Sequence, residues 1–235
     1  MGSVFKFKQF EVDQRGCAMK INTDGVLLAA VATHPAPLQI LDIGTGTGVI
    51  ALMLAQRFEK AIVDAVEIDV QAAAAAEVNF KASPFAERTA AHPVAFEKFE
   101  PAIKYDLIVS NPPYFINDLK SQEKRKEVAR HTHEDFFDLM LRKAAAMLTE
   151  NGLIWLILPV AQADRVVVNA VLYQLYPVKM IHIYSDQTKT AFRHIIALGF
   201  IAAKPLVHDH VYIYEAKDVY TEQYKSLLSD FFLAF

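Results

Sequence analysis

Residues 38–48, Leu-Gln-Ile-Leu-Asp-Ile-Gly-Thr-Gly-Thr-Gly, combine an apolar run with three closely spaced glycines. The apolar run Leu38–Ile43 has the length and composition of a buried strand. The three glycines after it permit a tight turn and let a ligand approach backbone N–H groups at a helix N-terminus. A helix is predicted next, over Val49–Phe58, because apolar residues recur there at helical spacing. This strand–turn–helix unit is typical of an α/β domain that binds a ligand at the turn.

The glycine spacing separates this turn from two common nucleotide-binding motifs. The dinucleotide fingerprint is G-x-G-x-x-G, whereas a single residue separates Gly46 from Gly48. A P-loop would continue with Gly-Lys-Ser/Thr, which does not follow here. An NAD-linked oxidoreductase is therefore disfavoured, while a purely structural strand–helix turn stays an alternative.

Strands and helices alternate along the rest of the chain. Further strands are predicted over Ala61–Glu67, Thr89–Phe96, Lys104–Val109, Leu153–Leu158, Val178–Tyr184 and His194–Ala202. The last two have no helix between them, so we expect them to pair as a hairpin. The pattern predicts a three-layer, Rossmann-like α/β fold whose seven-stranded, mostly parallel sheet contains one antiparallel strand. His210–Tyr214 is a candidate for an additional edge strand.

Residues 1–34 are predicted to form a small N-terminal extension that packs on a domain of residues 35–235. Apolar residues that alternate with polar ones over residues 4–12 indicate two short strands. A helix is predicted over Gly25–Ala32, with Thr23 as its expected N-cap.

Composition limits the class of protein. The 235 residues are 53% hydrophobic with a net charge of −3, which suits one α/β domain with a large core. The longest apolar run, Leu153–Ala161, is far shorter than the roughly 18 residues that a membrane-spanning helix needs. The N-terminus lacks a signal-peptide pattern, and the single Cys17 excludes an internal disulfide framework or a multi-cysteine zinc site. We expect a cytoplasmic protein with no membrane segment and no metal.

A second informative stretch, Ser110-Asn-Pro-Pro-Tyr-Phe115, follows the predicted strand Lys104–Val109. The Asn111 side-chain carbonyl can accept one hydrogen of an amine, and the backbone carbonyl of Pro112 can accept the other. Tyr114 offers a ring on which a base can stack. Loops at the carboxyl ends of strands are where open α/β sheets bind ligands. The stretch therefore predicts a site for a flat substrate that carries an amine.

Acidic residues mark the strand that follows the glycine turn. Glu67 ends this strand, where a carboxylate can accept both hydroxyls of a ribose. Asp64 is expected to be an exposed acid, and Asp69 is a candidate N-cap for the helix predicted over Val70–Lys81. Together with the glycine turn, Glu67 indicates a ligand that contains a ribose.

The glycine turn, the acidic strand end and the Asn-Pro-Pro-Tyr motif together resemble the class I S-adenosylmethionine-dependent methyltransferases that methylate amines. The resemblance implies that Glu67 holds the ribose of the cofactor and that Asn111 contacts both cofactor and amine. It implies a direct in-line displacement on an activated methyl group, which depends on positioning and electrostatics rather than on a metal. The residues implied to hold the methionine part are Asp42, Gly44, Thr45, Gly46 and Gly48.

Longer similarities make the resemblance more specific. The chain resembles the bacterial tRNA1(Val) adenine N6-methyltransferase family, whose substrate is the adenosine 3′ to the anticodon. The implied partner is therefore the anticodon loop of a tRNA, and we expect the enzyme to be a monomer. By this resemblance Lys20, Thr23 and Asp24 belong to a segment that closes over the cofactor, while simple helix capping is the alternative for the last two. The stretches that carry the resemblance are Phe7–Phe10, Arg15–Lys20, Thr23–Gly25, Asp42–Gly48, Ala51–Arg57, Asp64–Glu67 and Asn111–Phe115.

One departure from the family concerns the adenine of the cofactor. The loop after the third strand of the domain commonly carries an aspartate that accepts the adenine amine. The stretch Ala91–Ala95 contains no acid here. We therefore expect backbone groups of Pro93–Ala95 to take this role.

A basic segment directly follows the substrate motif. Cations at residues 124–126 and 130 lie in an insertion over 117–130, beside the expected active site. Such a segment can hold tRNA phosphates, although charge runs more often form a solvated surface, which stays the alternative. The candidate substrate-binding residues are Pro113, Phe115, Lys124, Arg125, Lys126 and Arg130.

Other functions stay open on the sequence. The same chemistry can act on guanine N2 of ribosomal RNA, on DNA adenine or on a protein glutamine, and the fold can serve as a non-catalytic nucleic-acid scaffold. Enzymes of the first three kinds usually carry an additional or larger domain, which disfavours them here. Intact Asn111 and Tyr114 disfavour the scaffold. His131 and His133 resemble a metal cluster, but the start of a helix is the favoured interpretation.

Overall fold

The computed structural model describes residues 4–17, 20–112 and 136–235. The helices are α1 (Thr23–Val31), α2 (Val49–Arg57), α3 (Val70–Ala82), α4 (136–147 of the described residues), α5 (Val160–Ala170) and α6 (Glu222–Leu228). The strands are β1 (Val4–Lys6), β2 (Glu11–Asp13), β3 (Gln39–Ile43), β4 (Ile62–Glu67), β5 (Thr89–Pro93), β6 (Tyr105–Ser110), β7 (Leu148–Pro159), β8 (Tyr176–Tyr184), β9 (Arg193–Gly199), β10 (Val207–Tyr212), β11 (Tyr214–Ala216) and β12 (Val219–Tyr220). None of the helices within these ranges combines the length and the apolar character needed to cross a membrane.

Eight strands form one central sheet in the order β10-β8-β9-β7-β6-β3-β4-β5. Neighbouring strands run parallel except at β9, which is antiparallel to both β7 and β8. The predicted mostly parallel sheet, its one antiparallel strand and the late hairpin are confirmed. The sheet has eight strands rather than seven because β10 adds in parallel to the outer edge of β8.

Helices cover both faces of the sheet because its central strands are apolar on both sides. In β3, Ile40 packs into one buried cluster and Leu41 into the other. The first cluster contains residues of α1, α2, α3 and α6, and the second contains residues of α4 and α5. Two-sided burial is the normal state of a parallel strand. The three layers leave the carboxyl ends of β3, β4 and β6 together at one edge of the sheet.

The N-terminal segment packs on the face that carries α1 and α2. Strands β1 and β2 pair antiparallel, and Phe7, Phe10 and Val12 are buried in the first cluster. Lys8 Nζ donates to the backbone oxygens of Ser229 and Phe235, at 2.6 and 2.9 Å. These contacts join the start of the described chain to its C-terminal end.

The cap of α1 differs from the prediction. Asn22 is the N-cap in place of Thr23, and its Oδ1 accepts a hydrogen bond from the Gly25 N–H at 2.8 Å. An N-cap residue needs extended backbone, which Asn22 has with φ of −131° and ψ of 166°. Thr23 is therefore the first residue inside the helix. The other predicted cap, Asp69 on α3, is confirmed, because its carboxylate accepts two backbone N–H groups of the first turn.

Candidate active site

The glycine turn after β3 forms the floor of the candidate site. The backbone nitrogens of Gly44 and Thr45 both donate to the Val66 oxygen on β4, at 2.9 and 3.1 Å. Gly44, Gly46 and Gly48 have φ of 73°, 58° and 87°, in the left-handed region that favours glycine. The turn is thus fixed against the neighbouring strand in a conformation that other residues rarely adopt.

Gly44 and Gly46 border open space, whereas Gly48 packs so closely on α3 that no side chain fits there. A Cβ on Gly48 would lie 2.5 Å from Cε1 of Phe80, so α3 packs against the turn only because no side chain is present. A Cβ on Gly44 or Gly46 would meet nothing within 4 Å. The space above Gly44 and Gly46 is therefore a cradle that a ligand can enter.

Asp42 lies buried beneath the turn. Its Oδ2 accepts a hydrogen bond from Thr45 Oγ1 at 2.6 Å, while its Oδ1 is buried and has no well-formed hydrogen bond within the described residues, the backbone of Ala51 being only a weak partner of this carboxyl. Burial raises the pKa of Asp42 to about 7, against the opposing hydrogen bond from Thr45, and the charge of Glu67 adds to the rise. A buried carboxyl with a weakly bonded oxygen suits a ligand that brings a donor or a positive charge.

Glu67, at the end of β4, faces the same turn. Its Oε2 accepts the Gly46 N–H and its Oε1 accepts the Asp69 N–H, both at 2.9 Å. A carboxylate offers about four lone-pair positions, so each oxygen can still accept one further donor. Its position at the turn is the one that the sequence predicted for a ribose contact.

A small cavity of about 50 Å³ opens above the turn. Five of the ten predicted cofactor residues come together in it, whereas Thr23, Asp24, Asp42, Gly48 and Glu67 are not among its lining residues. The predicted residues that line it are Lys20, Gly44, Thr45, Gly46 and Asn111, joined by Ile21, Asn22, Gly25, Thr47, Val49 and Ile50.

A larger cavity of about 560 Å³ lies on the other side of Asn111. This volume falls within the range of small-molecule sites. One wall comes from the N-terminal segment and the end of β6, and the other comes from the late strands and their loops. The lining residues are Asn22, Thr23, Asp24, Asn111, Pro112, Ser185, Phe192, Arg193, Ile213 and Tyr214.

Asn111 stands between the two cavities and is oriented by Asn22. The preceding residue, Ser110, is buried and donates through Oγ to the Ile43 oxygen at 2.8 Å, which joins the end of β6 to β3. Asn111 Nδ2 donates to Asn22 Oδ1 at 3.4 Å, and the same oxygen accepts the Gly25 N–H. Because Asn22 Oδ1 serves as the acceptor, the Asn111 amide turns its nitrogen toward Asn22 and its carbonyl oxygen away.

Asp24 is paired across the larger cavity. Arg193 Nε, at the start of β9, donates to Asp24 Oδ2 at 2.8 Å, and both side chains are largely buried. The structure therefore places Asp24 at the wall of the larger cavity. Its role beside the cofactor stays a prediction, since Asp24 does not line the smaller cavity.

Asp64 is not the exposed acid that the sequence predicted. Its carboxylate accepts a hydrogen bond from the Tyr105 hydroxyl at 2.9 Å and is paired with His92 Nε2 at 2.7 Å. Burial alone would raise the pKa of Asp64, but the hydrogen bonds from His92 and Tyr105 hold this pKa below its ordinary value. The hydrogen bond to Asp64 raises the pKa of His92 in turn. The prediction was wrong because these partners lie on other strands of the sheet, His92 on the adjacent β5 and Tyr105 on β6, beyond β3.

Several predicted site residues lie outside the described residues, and their roles stay predictions. They are Pro113, Tyr114, Phe115, Lys124, Arg125, Lys126 and Arg130, together with the His131 and His133 pair. Within the described residues, no group of three or more His, Cys, Asp or Glu side chains is arranged to hold a metal ion.

Three residues of the site were not predicted from the sequence, namely Asn22, Phe192 and Tyr214. Asn22 is a cap-type residue, and its position directly before Thr-Asp was the available signal. Phe192 and Tyr214 carry no local motif, because only the order of strands in the sheet brings them to the larger cavity.

Comparisons with known proteins agree on one family. The family model described as "Methyltransferase small domain" matches residues 17–184. A relative from Pedobacter heparinus is 55% identical over 100% of both chains. Relatives from Aeromonas hydrophila and Flavobacterium johnsoniae are 40% and 37% identical, over 98% of this chain and 98% and 99% of theirs. All three are named tRNA1(Val) (adenine(37)-N6)-methyltransferase.

Solved structures with the same fold are also methyltransferases. A predicted O-methyltransferase from Agrobacterium tumefaciens superposes with a TM-score of 0.68 at 18% identity, covering 88% of this chain and 96% of that one. The ribosomal protein L11 methylase of Lactobacillus delbrueckii gives 0.55 at 18% identity, covering 74% and 76%. This likeness confirms the class I methyltransferase fold. Full-length identity identifies the family: the chain belongs to the tRNA1(Val) (adenine(37)-N6)-methyltransferases.

Proposed function

We propose that this protein transfers a methyl group from S-adenosylmethionine to N6 of an adenine in tRNA, namely adenosine 37 of tRNA1(Val). The position of Asn111, which lines both cavities, carries the proposal. The residue suited to hold an amine stands between a small cavity at the glycine turn and a larger one within the size range of ligand sites. Relatives that match along the whole chain are named for this activity.

The residues at the glycine turn fit the methyl donor. Asp42 offers a buried oxygen without a well-formed hydrogen bond, and Gly44 and Gly46 leave a cradle that a Cβ would fill. S-adenosylmethionine supplies a methyl group on a sulfonium, already activated for transfer. We propose that the turn and Asp42 bind its methionine part and that Glu67 binds its ribose. Lys20 belongs to the segment that covers the bound cofactor.

The acceptor amine is assigned to Asn111 and Pro112. The Asn111 carbonyl oxygen, turned away from Asn22, accepts one N6 hydrogen, and the Pro112 backbone oxygen accepts the other. With both hydrogens held, the nitrogen lone pair is less delocalised into the adenine ring and can attack in line. Catalysis is then mainly positioning, which is the role of the two asparagines and of the base-stacking Tyr114.

The substrate cavity suits a base that is already unpaired. In an anticodon loop the target adenosine lies outside a duplex, so little energy is needed to expose its amine. We propose that the ion pair of Asp24 and Arg193 forms part of the wall that shapes this cavity. The cations at 124–126 and 130 are proposed to bind tRNA phosphates. We also infer a monomer, because residues of one chain line both cavities. A tRNA substrate places the enzyme in the cytoplasm.

Methyl transfer to bulk tRNA tests this function. The protein is incubated with radiolabelled S-adenosylmethionine and tRNA from cells that lack the modification, and the digested nucleosides are separated and identified by mass spectrometry. We expect label in N6-methyladenosine. Label in another methylated nucleoside would keep the chemistry and change the substrate. Folded protein that binds the cofactor and labels no RNA would exclude the proposal and favour a non-catalytic scaffold.

A further inference from the structure

A second group of polar rings lies on the outer strands of the sheet, apart from the residues assigned to methyl transfer. The pairing of β8 with β10 places His182 beside His210 and Tyr184 beside Tyr212. His208, two residues before His210 on the same strand, lies nearly coplanar with His182 and meets it edge to edge through their ring nitrogens. We call His182, Tyr184, His208, His210 and Tyr212 the ring ladder.

Two pairs of rings in the ladder lie face to face across the two strands. The His182 and His210 centroids are 5.0 Å apart with planes inclined by 16°, and those of Tyr184 and Tyr212 are 4.7 Å apart with an inclination of 22°. β10 is the last strand in the sheet order, so the outer faces of its rings meet no further strand of the described sheet. His208 and His210 are exposed. A flat ligand can therefore extend the stack outward.

Hydrogen bonds hold the ladder in place. His182 is hydrogen-bonded to His194 at 2.9 Å through one ring nitrogen and to His208 at 3.0 Å through the other. The Tyr184 hydroxyl is 3.1 Å from Nδ1 of His210. Burial first, and then the neighbouring histidines, lower the pKa of His182, so this ring is neutral near pH 7. A stack that is already ordered loses little conformational entropy when it binds a ligand.

The backbone edge of β10 is already occupied, which disfavours an added strand from a partner protein. Gln223 Nε2 donates to the His210 oxygen at 2.8 Å, and the Tyr212 N–H donates to Gln223 Oε1 at 3.3 Å. Strand addition would require these backbone groups. The surface therefore offers ring faces for binding rather than a backbone edge.

The ring ladder begins at the rim of the larger cavity. Tyr184 is followed directly by Ser185, and Tyr212 by Ile213, and both of these following residues line the cavity together with Asn111. The carboxyl ends of β8 and β10 thus join the ladder to the cavity wall, and a nucleic acid whose target base occupies the cavity passes close to these strand ends. Neighbouring unpaired bases are then the nearest flat ligands.

We propose that the ring ladder binds unpaired nucleotides of the tRNA loop next to the target adenosine, by stacking their bases on the outer faces of the β10 rings. The proposal rests on the proposed function for the identity of the RNA. Stacking on aromatic side chains is the usual way in which proteins hold splayed, single-stranded bases. The ladder thereby contributes to substrate affinity and leaves the chemistry at Asn111 unchanged.

Equilibrium binding of a synthetic, fluorescently labelled anticodon stem-loop RNA tests the ladder. The double variant His208→Ala/His210→Ala should raise Kd about tenfold, the effect of losing roughly one stacked base. His210→Phe keeps a ring face and should bind within about twofold of the wild type by the same stacking argument. The matched control is His34→Ala, since His34 contacts the Asn151 oxygen at the amino-terminal part of β7 and should not affect Kd.

Methyl transfer at saturating RNA separates this proposal from the proposed function. The double variant should keep the wild-type kcat and its thermal unfolding midpoint while KM for the RNA rises. Wild-type affinity in the double variant would overturn the ladder proposal, as would a His210→Phe variant that binds as weakly as the double variant. A wild-type protein that binds the RNA and never methylates it would overturn the proposed function, and the Kd comparison would still decide the role of the ladder.

Discussion

Asn111 is the residue on which methyl transfer depends most directly. Replacement by Ala removes the carbonyl that accepts an N6 hydrogen, so kcat should fall by about 100-fold or more, as for other groups that position a reacting atom. Cofactor Kd, measured by calorimetry, should rise only slightly, because Asn111 is one of several residues that line the smaller cavity and the turn at Gly44–Gly48 is untouched. A variant that loses cofactor binding instead would show that Asn111 serves the donor rather than the amine.

The glycine turn offers a matched pair of substitutions. Gly48→Ala places a methyl group 2.5 Å from Phe80 in addition to left-handed strain, so the free energy of unfolding should fall by about 3 kcal/mol. Gly44→Ala meets nothing within 4 Å and should lose only about 1 kcal/mol, from strain alone. Its methyl group occupies the cradle, so cofactor affinity should fall. Urea unfolding and calorimetry on both variants check this contrast, and equal losses of stability would contradict it.

The sequence predicted individual residues correctly where their position depends on the adjacent strand alone. Gly44, Gly46 and Asn111 lie in the turns that follow β3 and β6, so a motif in the sequence was enough to place them at the ends of these strands. Asp64 was misjudged because its partners His92 and Tyr105 are 28 and 41 residues away, on strands that only the folded sheet brings together. A pattern of residue types along the chain carries no information on such pairs.

Three strands are joined by the network of Asp64 on β4, His92 on β5 and Tyr105 on β6. Its stability depends on two titrations of opposite sign. The pKa of His92 is raised, so its contribution is complete below the ordinary value of 6.5 and is lost as pH rises through the raised value. The pKa of Asp64 is lowered, so its contribution is complete above 3.8 and is lost as pH falls through the lowered value. The network is therefore strongest between these two ordinary values.

The variant His92→Gln tests this pH dependence of the free energy of unfolding. The variant should lose about 0.5–1 kcal/mol of unfolding free energy near pH 5.5, a modest amount because His92 is partly exposed and solvent screens the pair. The loss should shrink above the raised pKa of His92, where the wild type no longer carries the charge. Urea unfolding across the pH range measures the difference, with His34→Gln as the control histidine. A loss that is the same at every pH would mean that packing, and not ionisation, explains the effect.

At the element scale, the alternation of strands and helices predicted the central sheet well and its outer edge poorly. β3 and β6 are buried over nearly their whole length, so each appears in the sequence as a mostly apolar run. β10 carries His208, His210 and Tyr212 on one face, and only Val211 of this strand is buried. Its pattern lacks the apolar alternation that marks a strand, so its bounds were only partly predicted.

At the scale of the whole molecule, the candidate site is assembled from segments far apart in the chain. The larger cavity is lined by residues from 22 to 214, and its far wall comes from strands without a functional motif. The sequence therefore predicted the glycine turn and the position of Asn111 beside it, because both follow single strands. It did not predict the wall at Phe192 and Tyr214, which depends on β9 running antiparallel between β7 and β8.

A protein with a net charge of −3 needs a local concentration of cations to bind RNA. The cations at 124–126 are the candidates, so their triple Ala variant should bind tRNA more weakly and depend less on salt. If all three contact phosphates, the slope of log Kobs against log salt should become shallower by about 2. The matched control replaces three exposed lysines near the amino ends of the strands, Lys60, Lys81 and Lys104, and removes the same charge. An equal change of slope in both variants would indicate a general effect of net charge, and an unchanged slope in the first would remove residues 124–126 from the RNA site.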